Sequence, residues 1–128
     1  MELWSAPVRY GECDQQGIVF NAHYLAWADE AATAWFTAVG TPYGGLLARG
    51  LDARVRASTL EWAASARYGD LVTVDGQVER VGASSLVLIL QVRTAERQCC
   101  AVRTTYVVVG HDGRPVRVPD DLRARWSG

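Results

Sequence analysis

One long helical pattern followed by four long strand-like runs leaves this chain few folds to adopt. The runs cover 51–64, 71–81, 84–94 and 99–110; Val, Thr, Leu and Ile dominate them and Gly punctuates the gaps. In the third, Leu86, Leu88, Leu90 and Val92 fall on one face and Val87 and Ile89 on the other, which suits a central strand covered on both sides. The spacing predicts a helix over 21–39. Tyr24, Ala28, Ala31 and Trp35 recur three and four apart, and Trp27, Ala32 and Phe36 widen the same face. The alanines favour helix and let another element come close. Gly40 ends the pattern and Pro42 follows it. Before the helix, 3–12 reads as a first strand, with Pro7 marking an edge or bulge. Residues 43–50 hold room for one short helical turn, and Asp112-Gly113 carries a turn signal. The predicted fold is therefore α+β: a five-stranded, mainly antiparallel sheet, its later strands sequential neighbours, with one buried helix. A single helix covers one face, so the other face or an edge is expected to meet a second subunit.

At 128 residues, the whole of 1–128 is expected to form one domain around one core. The formal charge of -1, from 13 basic and 14 acidic residues, gives no sign of a nucleic-acid or membrane-surface partner. Every basic residue is Arg; without Lys, neither a Schiff-base mechanism nor a P-loop is available. The longest apolar stretch, 86–90, is too short to span a bilayer, and the N-terminal segment lacks the pattern of a signal peptide. Cys13, Cys99 and Cys100 are odd in number and have no metal spacing, so they read as reduced thiols of a cytoplasmic protein. With only His23 and His111 and no ligand spacing, no metal is expected.

The chemistry concentrates in 10–36, YGECDQQGIVFNAHYLAWADEAATAWF. Asp14 stands in a Gly-containing loop that leads directly into the predicted helix start. Such a start offers free N–H groups and a partial positive charge. A carboxylate beside those donors can attack, or direct water at, a carbonyl whose oxygen they hold. Simpler roles exist for the same residues. Asp14 also fits a loop acid, and Asn21 an N-cap whose side chain satisfies a free N–H. His23 suits either a general acid–base or a polar residue on the first helical turn. Glu12, two before Asp14, reads as a solvated surface acid, and Asp29-Glu30 as the helix's solvated face. Cys13 is a poor nucleophile, because its carboxylate neighbour disfavours the thiolate.

The same segment resembles the hotdog-fold acyl-CoA thioesterases, and within them the 4-hydroxybenzoyl-CoA thioesterase family. The resemblance rests on Tyr10, Asp14, Gly17, Ile18-Val19 and Tyr24, with Gly11-Glu12-Cys13-Asp14 around them. A weaker echo, Arg67-Tyr68-Gly69-Asp70 before Leu71, is similar to the family's turn into its third strand. The resemblance implies a sheet wrapped around one long central helix, with Asp14 as nucleophile or general base. It implies that the Asn21 N–H holds the thioester oxygen, that Gly17 lets the loop backbone approach substrate, and that the site lies at a subunit interface of a homodimer or homotetramer. Several family members carry a catalytic His where Asn21 stands; here the His is two places on, at His23.

Around that core, Tyr24, Ile18, Val19 and Trp27 are candidates to line an acyl pocket, although Tyr24 and Trp27, with Trp35 and Phe36, are most simply core. Ser58 and Thr59 are candidate substrate contacts, and Glu61 and Trp62 could reach a partner's site. Arg54 and Arg56, expected on one strand face, are the preferred candidates for coenzyme A phosphates, which guanidinium groups bind bidentately. The expected activity is hydrolysis of an acyl-CoA thioester, with coenzyme A as part of the substrate and no further cofactor. The alternatives are a thioesterase acting on acyl carrier protein and a hotdog domain that binds a thioester without turning it over.

Overall fold

In the computed structural model, which describes all 128 residues, helix α1 (His23–Ala38) lies against a five-stranded antiparallel sheet. The strands are β1 (Glu2–Pro7), β2 (Asp52–Trp62), β3 (Leu71–Val81), β4 (Ser85–Arg93) and β5 (Gln98–Val109), in the order β1-β3-β4-β5-β2. This is the α+β hotdog arrangement expected from the sequence. Helix α1 buries Tyr24, Trp27, Ala28, Ala31, Ala32, Trp35 and Phe36, the face its three-and-four spacing defines. Ala28 and Ala31 are fully buried, so the helix backbone sits close on the sheet. Beneath it, Leu86, Leu88, Leu90 and Val92 of β4 are also shut from solvent, which matches a central strand. No helix is long and apolar enough to cross a membrane.

Four sequence expectations need correction. The first strand does not run through to residue 12. It ends at Pro7, and residues Tyr10–Glu12 form a short 3-10 turn because the Glu12 carboxylate reaches back to the Arg9 N–H at 2.7 Å. The helix begins at His23 rather than 21; its N-cap is Ala22, already in helical conformation and without a side-chain cap, so Asn21 is not the capping residue. The later strands are not all sequential neighbours. β3, β4 and β5 follow one another, but β2 pairs with β5, so the 63–70 connection must cross the end of the sheet. Strand periodicity marks where β2 is but not which neighbour it takes.

The fourth correction is a helix at the C-terminus, α3 (Asp120–Ser127), which has little apolar signal. It closes one end of the core with two side chains, Leu122 and Trp126, each 2% exposed. The Trp126 ring packs on Trp35 and Phe36, and its indole N–H donates to Thr41 Oγ1 at 3.0 Å. The Arg123 guanidinium donates to the Gly82 carbonyl at 2.9 Å and ties the helix to the β3–β4 turn. The expected short turn after Pro42 is present as α2 (Tyr43–Ala48), and Arg49 just beyond it pairs with Asp121 of α3 at 2.8 Å. Replacing so large a buried ring removes contacts that the core cannot refill. Trp126→Ala is expected to cost about 3–5 kcal/mol of stability in urea denaturation; a loss under about 1 kcal/mol would show that α3 is peripheral to the core.

Candidate active site

The segment between β1 and α1 folds into a very small hairpin. Cys13 bridges Val19, the Asp14 N–H donates to the Ile18 carbonyl at 2.9 Å, and the Phe20 N–H donates to the Glu12 carbonyl at 2.9 Å. The turn at its tip needs Gly17, whose φ is +78°, a value L side chains rarely adopt. Asp14 takes part in the turn: its carbonyl accepts the Gly17 N–H at 3.0 Å and its Oδ1 accepts the Gln16 N–H at 2.8 Å. Oδ2 has no protein donor, and the side chain is exposed. The second limb is braced from the other side. Ile18 bridges Arg67, the Val19 N–H donates to the Ala66 carbonyl at 3.0 Å, and the Tyr24 hydroxyl accepts the Ala66 N–H at 3.0 Å. The Arg67–Asp70 turn that carries this brace has Gly69 at φ +91° and leads into β3, as its sequence suggested.

Asp14 and Asn21 line one cleft of about 510 Å³, together with Ile18, Val19 and Tyr24. Its far wall is Trp62, Ala63, Ala64 and Ser65, where β2 runs out into its crossover. The Asn21 and Ala22 N–H groups donate to no protein acceptor, so the hairpin ends on a pair of free main-chain donors. Asp14 also borders a second opening of about 630 Å³, with Gly17, Cys13 and the exposed rings of Tyr10 and Tyr68. The carboxylate thus stands on a ridge between two concave surfaces. Trp62, considered in the sequence as a residue that could reach a partner's site, lines this chain's own cleft. Phe20, 50% exposed beside it, had no sequence signal beyond its position in the hairpin.

The other candidates lie elsewhere. His23 faces a different cleft, of about 390 Å³, with Trp4, Arg9, Glu12, Trp27 and Glu30. Trp27 is core, 5% exposed, and its indole N–H is engaged by Glu12. Ser58 shares a hydrogen bond with Thr104 at 3.0 Å, and Thr59, one residue on, points to the opposite face of β2. Arg54 and Arg56 do not share a simple alternation, because the β2–β5 register passes from Val55 to Ala57 and skips Arg56 as a bulge. Arg54 is paired with Asp52 at 3.5 Å, and eight residues of strand, roughly 26 Å at the usual rise, separate it from Trp62. Within one chain neither arginine reaches the Asp14 cleft.

Glu12 is not a solvated acid: it is 5% exposed. Burial by itself raises a carboxyl, but the hydrogen bonds from the Arg9 side chain, the Arg9 N–H and Trp27 outweigh it and hold Glu12 below its usual range. Asp29, by contrast, is exposed on the solvated face of α1, as the sequence suggested. It lines a mainly apolar cavity of about 260 Å³ between α1 and the β2 end of the sheet, with Phe36, Val55 and Tyr106. Loss of some hydration against the cavity wall, and then the neighbouring Glu30, raise its carboxyl. Burial also pushes the Cys100 thiol up to about 11, so it stays protonated at neutral pH. Cys13 is half-buried, with its thiol 3.9 Å from the Arg9 carbonyl.

The chain is similar to several known proteins. The Acyl-CoA thioester hydrolase YbgC of Escherichia coli O157:H7 is 28% identical over 93 residues, which make up 73% of this chain and 69% of YbgC. The Bacillus subtilis (strain 168) protein YneP is 32% identical over 72 residues, 56% of this chain; the match spans about half of YneP, 52% of it. Among solved structures, the hypothetical protein TT1821 from Thermus thermophilus superposes with a TM-score of 0.92 at 25% identity, over 99% of this chain and 98% of that one. The family model for the thioesterase-like superfamily matches residues 8–126, nearly the whole fold including the Asp14 hairpin, and the chain belongs to that superfamily.

Proposed function

We propose that this protein hydrolyses an acyl-CoA thioester to the free acid and coenzyme A, using Asp14 and the N–H of Asn21. The observation that carries the reading is the cleft that holds an exposed carboxylate and a free main-chain donor on the two limbs of one hairpin. The name of YbgC, an acyl-CoA thioester hydrolase, supports the same chemistry. The finer assignment, to the 4-hydroxybenzoyl-CoA thioesterase family, rests on the residues of the hairpin and remains part of this proposal.

In the proposed reaction the thioester carbonyl lies in the cleft with its oxygen toward Asn21 N–H, at the positive end of α1. That contact strengthens as charge develops on oxygen. The Asp14 carboxylate attacks the carbonyl carbon. The C–S bond breaks, coenzyme A leaves as a thiolate that solvent protonates, and a mixed anhydride remains on Asp14. Water then cleaves the anhydride and restores the carboxylate. In the variant route Asp14 takes a proton from water, which attacks directly; the products are the same. A thiolate is a good leaving group, so neither route requires a strong acid. His23, in another cleft, is given no step.

The reading extends to a homodimer. β2 is an edge strand of 11 residues, with Val55 55% and Trp62 52% exposed. An unpaired edge of this length invites pairing with another strand. Antiparallel pairing with a second copy about a two-fold axis would bring the Arg54 end of one strand to the Trp62 end of the other. Arg54 and Arg56 could then serve the phosphates of coenzyme A at the second copy's cleft. No comparable argument favours a carrier-protein substrate.

Two experiments test this reading. Thiol release from a panel of aryl, short, medium and long acyl-CoAs is expected from the wild type, and Asp14→Asn should lower kcat by about 10³-fold or more; near-full turnover in the variant would reject Asp14. In sedimentation the protein is expected at twice the 14.0 kDa of one chain. Val55→Glu, which places a charge on the exposed edge, should shift it toward monomer and lower turnover with it. A fully active monomer would remove the β2 edge from the account.

A further inference from the structure

Among the acidic side chains of the hairpin region, Glu12 differs from Asp14 in every respect that matters. Asp14 is exposed with one oxygen free, whereas Glu12 is buried and saturated. Its Oε1 accepts the Arg9 N–H at 2.7 Å, and its Oε2 accepts the Arg9 guanidinium at 3.2 Å and the Trp27 indole N–H at 3.0 Å. Its main-chain carbonyl accepts the Phe20 N–H at 2.9 Å. Four bonds from three separate places therefore meet at one residue: the turn before it, the core face of α1, and the chain just ahead of Asn21. Asp14 hangs two residues beyond on one limb. Asn21 follows Phe20 directly on the other.

We propose that Glu12 is a positioning residue, whose carboxylate and carbonyl fasten both limbs of the hairpin to helix α1 and so set the spacing between the Asp14 carboxylate and the Asn21 N–H. This inference rests on the reading above, in which those two groups act on the thioester. The physical need is clear, because a displacement of about 1 Å in a reacting group can cost roughly 10²-fold in rate. The residue type follows from the donors. Both Glu12 oxygens face N–H groups only, so a side chain of the same size with one NH₂ must set that NH₂ against a donor, whichever way it is turned. A buried, hydrogen-bonded carboxylate is also a stiff anchor, since leaving any of its partners unpaired is costly.

The test is Glu12→Gln, with Glu30→Gln as a control carboxylate on the same cleft and Asp14→Asn alongside. For Glu12→Gln, kcat is expected to fall about 10–100-fold while KM stays within about threefold, because the acyl-binding wall at Trp62–Ser65 is untouched. Amide exchange at Asp14 and Phe20, whose N–H groups close the hairpin, should quicken about tenfold or more relative to the rest of the sheet. Glu30→Gln should change neither. A merely structural role would lower the unfolding midpoint without splitting kcat from KM. The proposal is overturned if Glu12→Gln keeps its kcat within about twofold, or if protection at Asp14 and Phe20 is unchanged. Absence of thiol release by the wild type would sink the enzymatic reading instead, and the exchange measurement would still decide whether Glu12 holds the hairpin. If Glu12→Gln fails to fold, Trp27→Phe removes one donor and keeps the carboxylate. A smaller change in the same direction is then expected in both readouts, and no change in either would also overturn the proposal.

Discussion

The contact between α1 and the sheet is the constraint on which the rest depends. Ala28 and Ala31 have no exposed surface, and they let the helix settle directly over Leu86, Leu88 and Leu90 of the central strand. Once the helix axis is fixed there, Trp27 and Tyr24 at its first turns have fixed positions too. Each holds a piece of the loop chemistry: Trp27 donates to Glu12, and Tyr24 accepts the Ala66 N–H. The far end of the same helix is held by Trp35 and Phe36 against Trp126. Apolar burial thus sets the frame, and a few polar bonds at its edge set the geometry of the hairpin.

That hairpin is built without regular secondary structure on either limb, and a few main-chain bonds hold its shape. The N–H groups of Asp14, Gly17, Val19 and Phe20 all have acceptors, and those of Asn21 and Ala22 do not. Unpaired donors at the mouth of a cleft, next to an unpaired carboxylate oxygen, are what an acyl-transfer site requires. The structure keeps this group of atoms exposed while Glu12 and Tyr24 brace the hairpin from behind.

Much of this was legible in the sequence. The helix and the four later strands follow from periodicity, because burial on one face writes itself into spacing. Asp14, Gly17, Asn21 and Tyr24 were legible as a group through the resemblance of this segment to the thioesterase motif, which periodicity alone does not supply. What sequence did not give was set by partners distant in the chain. The placement of β2 beside β5 depends on pairing across some fifty residues, such as Ser58 with Thr104. Helix α3 has a weak apolar pattern because only Leu122 and Trp126 are buried. Glu12 looked like a surface acid because its donors, Arg9 and Trp27, are recognisable only after the turn and the helix have packed. The bulge at Arg56 separated the two arginines that simple alternation had joined.

The central claim is that the acyl carbonyl sits between Asp14 and the N–H of Asn21. The most direct test is a crystal structure with a non-hydrolysable acyl-CoA analogue in which the thioester sulfur is separated from the carbonyl by a methylene. The account predicts the carbonyl oxygen about 3 Å from Asn21 N and the carbonyl carbon facing the Asp14 carboxylate. An acyl group seated in the Asp29 cavity, with its carbonyl away from Asn21, would contradict it.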